Sequence, residues 1–321
     1  MKKLLRNICL LLLPIVLYYC VFLVFEPQNY FGLRSKTYTG TVFGALRSYE
    51  RNPVNSIIIG DSRMAHFDMD TVEQIAGRPF GNLAFGGATL AEQLGLLDWW
   101  LEKYPQIDEV VFELSFYTLN ANYNTNRTEA IQAGLSNPFL YLTNLNFNLE
   151  ALQNVVFALQ GQPLGGGEAE TEDPATYTYT RYTTPAGQTV EMRTRLAEYL
   201  AYIAPTAEKW QPWESEFEAL LKAVNKYTAR GIRFTVVLPP VHPTVAEYII
   251  KANGIDGPMR EMLGRLGETG ALVLDYEIEN PPVFADDQYF DGFHLDYERG
   301  LPAWAEMLFA DINAGKINSG G

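Results

Sequence analysis

The sequence predicts an α/β domain on a parallel sheet covered by helices on both faces, tethered by an N-terminal membrane helix. Three observations lead there. Short apolar runs at residues 55–60, 109–114 and 233–238 lack polar alternation, as strands buried on both faces do. Amphipathic helical segments separate most of these runs, the pattern of an α/β chain. The first 25 residues join a basic flank to an uncharged apolar stretch.

That stretch comes first in the chain. Lys2, Lys3 and Arg6 precede the apolar residues 8–25. As a helix, these 18 residues span about 27 Å at 1.5 Å per residue, near the lower limit for a membrane crossing. The basic flank is expected on the cytoplasmic side, which places the C-terminal bulk outside. A cleaved signal peptide is the competing reading. Tyr18, Tyr19 and Phe22 leave no small-x-small cleavage site and disfavour lipid attachment at Cys20. Residues 1–25 are therefore read as an anchor and 26–54 as a juxtamembrane stalk. A domain at 55–315 follows, with an insertion at about 121–213, and 316–321 form a flexible tail.

Composition narrows the function. The chain has 24 Lys and Arg against 38 Asp and Glu, a net charge of −14. Such a surface repels polyanions, so a nucleic-acid partner is excluded. The two cysteines, Cys9 and Cys20, both lie in the anchor. No disulfide framework, cysteine-ligated zinc or cysteine nucleophile is available beyond it. No Walker loop, dinucleotide fingerprint or clustered metal-ligand spacing occurs, so no cofactor and no metal is expected.

Within the domain, residues 55–60 form a first strand stopping at Gly60, and 79–84 a second. A helix at 90–103 carries Leu94, Leu97 and Leu101 on one side. The third strand is 109–114. A helix at 214–230 closes at Gly231, and the strand at 233–238 ends on Pro239 and Pro240. A helix at 258–269, a strand at 271–275 and a terminal helix at 301–314 complete the alternation. The insertion is rich in Asn, Thr, Tyr and Gly. It is expected to be helical around 149–159, with a mobile loop near 161–175.

In parallel sheets the ligand site lies beyond the carboxyl ends of the strands. Chemistry is therefore sought just after the apolar runs. The first run leads into Gly60-Asp61-Ser62-Arg63. A helix starting there aims its N–H groups at the Ser62 hydroxyl, a setting suited to an oxyanion. The second run leads into Asn82 and then Gly86-Gly87, where a glycine N–H is placed to join that of Ser62. Near the C-terminus stands Asp291-Gly292-Phe293-His294-Leu295. A histidine is the usual base for a serine, and an acid three residues earlier orients the imidazole. Ser62, His294 and Asp291 thus make a candidate nucleophile, base and orienter. Asp61 is read as the cap of the following helix and His66 as a packing residue. Arg63 is a candidate cation for an anionic substrate, or else a helix-surface arginine. His242 is a candidate cleft residue, or else part of a Pro-flanked turn.

These motifs resemble the SGNH (GDSL-type) hydrolase superfamily. Gly60-Asp61-Ser62 is similar to its first block, Gly86 stands where its oxyanion glycine is expected, and Asp291-x-x-His294-Leu295 is similar to its last block. The third block departs: the third strand leads to Ser115 through Asn120 with no Asn directly after it. Ser115 or Asn120 is then the candidate third donor. The resemblance implies a flavodoxin-like three-layer α/β/α sandwich and ester or acyl-transfer chemistry. An anchor, the Gly-Asp-Ser-Arg stretch and Leu-Pro-Pro-Val-His-Pro at 238–243 resemble the membrane-anchored branch of DltD-like proteins and periplasmic alginate and cellulose O-acetyltransferases. That implies a bacterial envelope setting, an acyl ester or polysaccharide substrate and a membrane-bound O-acyltransferase partner. The rival expectation is an SGNH fold kept as a non-catalytic scaffold for such a partner.

Overall fold

A computed structural model provides the structure, which describes residues 1–33, 41–160 and 191–315. The first helix, α1 (Lys2–Phe25), is unbroken despite Pro14 and leaves most of its apolar side chains exposed. It is long and apolar enough to cross a membrane. Helix α2 (Val42–Arg51) follows, capped by Thr41, whose Oγ1 accepts from the Gly44 N–H. Here the structure corrects the reading of 26–54 as a stalk. Tyr30, Phe43, Leu46 and Tyr49 are buried in the main core, because the apolar side of α2 packs on the domain instead of standing off it.

The chain then runs β1 (Ser56–Ile59), a single turn α3 (Ser62–Ala65), α4 (Met69–Ala76), β2 (Phe80–Asn82), α5 (Leu90–Lys103) and β3 (Glu109–Glu113). Among the described residues, four helices follow β3 within the insertion: α6 (Thr128–Ser136), α7 (Pro138–Leu142), α8 (Leu145–Leu159) and α9 (Met192–Ala207). After them come α10 (Glu214–Thr228), β4 (Arg233–Leu238), the short α11 (Pro243–Val245) and a π-helical stretch Ala246–Lys251. The last elements are α12 (Asp256–Gly267), β5 (Leu272–Asp275) and α13 (Gly300–Ala314). The expected helix near 149–159 starts earlier, at Leu145, because Asn144 caps it with bonds from Asn146 N and Phe147 N. The loop expected near 161–175 and the tail at 316–321 lie outside the described residues.

The five strands pair in parallel in the order β2-β1-β3-β4-β5. Alternate side chains enter two cores. Ile57, Ile59, Val110, Phe112 and Val236 meet residues of α5, α10 and α12. Ile58, Val111, Val237 and Leu274 meet residues of α4 and α13. The sheet is thus sandwiched between helix layers, which explains why its strands show no polar alternation. Each fully buried side chain of this kind contributes roughly 1.5–3 kcal/mol, and both faces are needed to hold the strand ends that carry the site.

Candidate active site

The site is assembled at the carboxyl ends of the strands. β1 ends at Ile59, and Asp61 caps α3 by accepting from the Arg63 N–H at 2.8 Å. Ser62 is therefore the first residue of a helical turn, with its amide at the helix N-terminus. The loop after β2 runs alongside: Leu83 N donates to Ile58 O, and Phe85 N to Gly60 O. Asn82 ties the same loop to α3, donating to Met64 O at 2.8 Å and accepting from Ala84 N at 3.0 Å. The chain leading into Gly86 is thereby tied to the end of β1 and to α3. Among the described residues neither the Ser62 nor the Gly86 N–H has a hydrogen-bond acceptor.

The other half comes from the far end of the domain. Phe290 N donates to His294 O, and Tyr289 bridges to Leu295 in antiparallel fashion. This closes a tight loop with Asp291, Gly292 and Phe293 at its tip. Asp291 works with both oxygens. Its Oδ1 accepts from Phe293 N and His294 N, each at 2.7 Å, and its Oδ2 lies 3.0 Å from His294 Nδ1. His294 Nε2 lies 2.9 Å from Ser62 Oγ. Sequence separation here is 232 residues, so only the folded sheet brings the pair together.

The protonation pattern follows. Burial pushes the Asp291 carboxyl up, but the His294 charge and the hydrogen bonds to its oxygens leave it below its ordinary value. An ionised carboxylate only accepts, so Nδ1 carries the imidazole proton. Nε2 is then left with a lone pair for the Ser62 hydroxyl, which donates. The side chains of His294 and Asp291 are 19% and 20% exposed, so the pair is reachable from a shallow cleft lined by Ser62, Arg63, His66, His294, Leu295, Tyr297 and Leu301.

Comparison with known proteins finds no family model that matches this chain and no curated relative.

Two candidate substrate residues are corrected. Arg63 is not a helix-surface group: the residue borders the cleft, but its guanidinium is turned into the protein and engaged there. It is 4% exposed, bonded to Glu113 at 2.5 Å, and within 3.4 Å of Asp61 and 3.5 Å of Glu277. It also stacks 4.1 Å from the Phe293 ring. His242 is likewise structural. Its Nδ1 accepts from Thr244 N at 3.1 Å, capping α11, while its ring packs edge-on to Tyr289. Burial holds its pKa below the ordinary value despite Asp286 nearby. Its amide donates to Gly292 O, so it props the Asp291 loop from behind.

The third-donor candidates also differ from expectation. Ser115 is fully buried, and its amide and hydroxyl are both engaged with Thr118, which takes it out of the oxyanion set. Asn120 uses its Oδ1 for Asn122 N and Gln211 N, while its Nδ2 is buried without a partner.

Sequence reasoning missed the carboxylates beneath the serine. Glu113 Oε2 accepts from Asp61 N at 2.6 Å, and Glu277 accepts from Phe116 N at 3.0 Å. Burial, reinforced by Asp61, pushes Glu113 well up, and burial pushes Glu277 up to about 8 against the opposing pull of Arg63. The cluster brackets Ser62, since both of its neighbours belong to it. Its signal was a glutamate ending an otherwise apolar strand, because a charge so buried requires a partner. Gly60 is fixed by the same group: a Cβ there would stand 2.4 Å from Glu113 Oε2.

Proposed function

We propose that this chain is a membrane-anchored, outward-facing serine acyl-ester hydrolase or O-acyltransferase of SGNH type, acting on envelope polysaccharide or a related polymer. The observation that carries the reading is the relay Ser62 Oγ, His294 Nε2, His294 Nδ1, Asp291 Oδ2, with links of 2.9 and 3.0 Å. The strand order is that of flavodoxin-like sheets, and the serine follows β1, where that order reverses. Both features support the family resemblance.

In this mechanism Ser62 Oγ attacks the acyl carbon as its proton passes to His294 Nε2. The Asp291 carboxylate fixes the imidazole and favours the imidazolium. The N–H groups of Ser62 and Gly86 hold the oxyanion. Collapse expels the alcohol, which takes the proton from His294, and leaves an acyl group on Ser62. Water or a sugar hydroxyl, deprotonated by His294, then accepts the acyl group and restores the serine. Water gives hydrolysis, a polymer hydroxyl gives transfer.

A second reading is an SGNH fold serving as scaffold for a membrane-bound O-acyltransferase. The closure of Ser115 on Thr118 favours it, because one oxyanion donor is often worth two to three orders of magnitude in rate. The full chain in detergent, assayed with p-nitrophenyl acetate and a fluorophosphonate probe, separates the two. The enzyme reading expects turnover and covalent labelling at Ser62. Both are lost in Ser62→Ala, by about a thousand-fold or more in rate. An unlabelled, inactive wild-type protein sinks the enzyme reading.

A further inference from the structure

We infer that α7 and α8 form a second membrane contact, a helical hairpin whose outer face sits in the outer leaflet beside α1, covered by lipid acyl chains. This rests on the reading of α1 as a membrane anchor.

The outward side of α8 carries Leu145, Leu149, Leu152, Val156 and Leu159, between 47% and 84% exposed. Their spacing of four, three, four and three residues makes one continuous stripe along the helix. Phe139 and Leu140 on α7 extend it. Soluble surfaces rarely leave such a patch open.

What covers the patch is settled by its neighbour. α8 packs alongside α1. Tyr18 OH donates to Asn148 Oδ1 at 2.7 Å, and Asn154 Nδ2 donates to Phe25 O at 2.9 Å. The two helices therefore run in the same direction, with Asn148 beside Tyr18 and Asn154 at the end of α1. Tyr18 lies seven residues before Phe25, about 10 Å deeper along the helix. A bilayer that encloses α1 up to Phe25 also encloses the first turns of α8. The exposed stripe then continues the exposed apolar surface of α1.

The chemistry of the segment agrees. Residues 130–149 contain no charged side chain. The helix ends within it are satisfied by uncharged groups: Asn137 Oδ1 accepts from Phe139 N, and Asn144 Oδ1 from Asn146 N. Asn148 Nδ2 donates to Leu142 O and Asn144 O, and Thr143 Oγ1 to Phe139 O. Internal satisfaction of this kind is what a hydrocarbon setting demands. The first charge, Glu150, has an interaction of its own within the protein. It stands four residues before Asn154, about 6 Å deeper along α8, within reach of the boundary.

The test uses the full chain with Cys9→Ser and Cys20→Ser and one new cysteine: Leu12→Cys in α1, Leu145→Cys or Leu152→Cys in α8, or Lys222→Cys in α10 as control. Each carries a small fluorophore and is placed in phosphatidylcholine vesicles with or without nitroxide on the acyl chains. For an embedded hairpin, probes at 12, 145 and 152 lose roughly half their fluorescence to the nitroxide lipid, while the probe at 222 does not. Quenching at 12 with control behaviour at 145 and 152 overturns the hairpin and leaves the anchor standing. No quenching at 12 overturns the anchor reading itself. Probes at 145 and 152 that are shielded from aqueous iodide yet unquenched by lipid assign the face to a second copy of this chain, and also overturn the inference.

Discussion

Arg63→Met discriminates most sharply between a structural and a substrate-binding role for the cation next to the serine. The side chain is 2% exposed and contacts Glu113, Glu277 and Asp61, whose side chains are fully buried. Methionine fills much of the volume but leaves three buried carboxyls without a cation. Removing one partner of a buried charge cluster costs about 3–5 kcal/mol, a large part of a typical folding stability of roughly 5–15 kcal/mol. At about 2–4 °C per kcal/mol for domains of 150–250 residues, Tm falls by roughly 10 °C. Because Asp61 and Arg63 flank Ser62, a shift of about 1 Å at the nucleophile also lowers kcat by up to a hundred-fold. Thermal unfolding of the detergent-solubilised full chain, followed by tryptophan fluorescence, reads the first effect, and ester turnover reads the second. Adding Glu113→Gln removes one of the stranded carboxylates and recovers part of the lost stability, a coupling that a double-mutant cycle measures. A variant with wild-type Tm and kcat and only a raised KM refutes the buried-cluster argument and restores Arg63 to the cleft.

Three further predictions concern the relay and its supports. Asp291→Asn keeps an oxygen for the Phe293 and His294 amides but loses the carboxylate that fixes the imidazole, so kcat falls by about four orders of magnitude with little change in Tm; an unchanged rate removes Asp291 from the relay. Gly292→Ala places a Cβ 2.7 Å from Tyr199 Cδ1 and 2.8 Å from Val245 Cγ2; the loop must shift, stability drops by about 1–3 kcal/mol, and activity drops further than stability explains. Glu277 gives a pH dependence. An unfolded glutamate ionises near 4.5, whereas the folded one holds its proton to about 8. Unfolding thus releases a proton between these values, so its contribution to stability declines as pH rises from about 4.5 to 8 and levels off above. Glu277→Gln flattens that part of the Tm profile, and an equally steep profile in the variant assigns the dependence to other groups.

Much of the architecture was legible because local chemistry dictates it. Unalternating apolar runs mark strands buried on both faces, and those at 55–60, 109–114 and 233–238 became β1, β3 and β4. Gly60-Asp61-Ser62 and Asp291-x-x-His294 were legible because each is a short turn with its own hydrogen bonds. Helices α2, α4, α6, α7 and α9 were not recognised: their apolar sides mean little until the surfaces they cover exist. The fates of Arg63, His242 and Ser115 were equally hidden, because sequence distinguishes a charged residue from a buried one only when the partners are known.

By itself, the sequence determined the α/β alternation, the apolar N-terminal helix and the two turns that carry the serine and the imidazole, since periodicity, charge and turn chemistry act over a few residues. Tertiary structure alone decided that Ser62 meets His294, that the Arg63 guanidinium is enclosed by three carboxylates, and that α8 lies along α1. Those outcomes depend on which distant surfaces exclude water together, and no stretch of chain carries that information on its own.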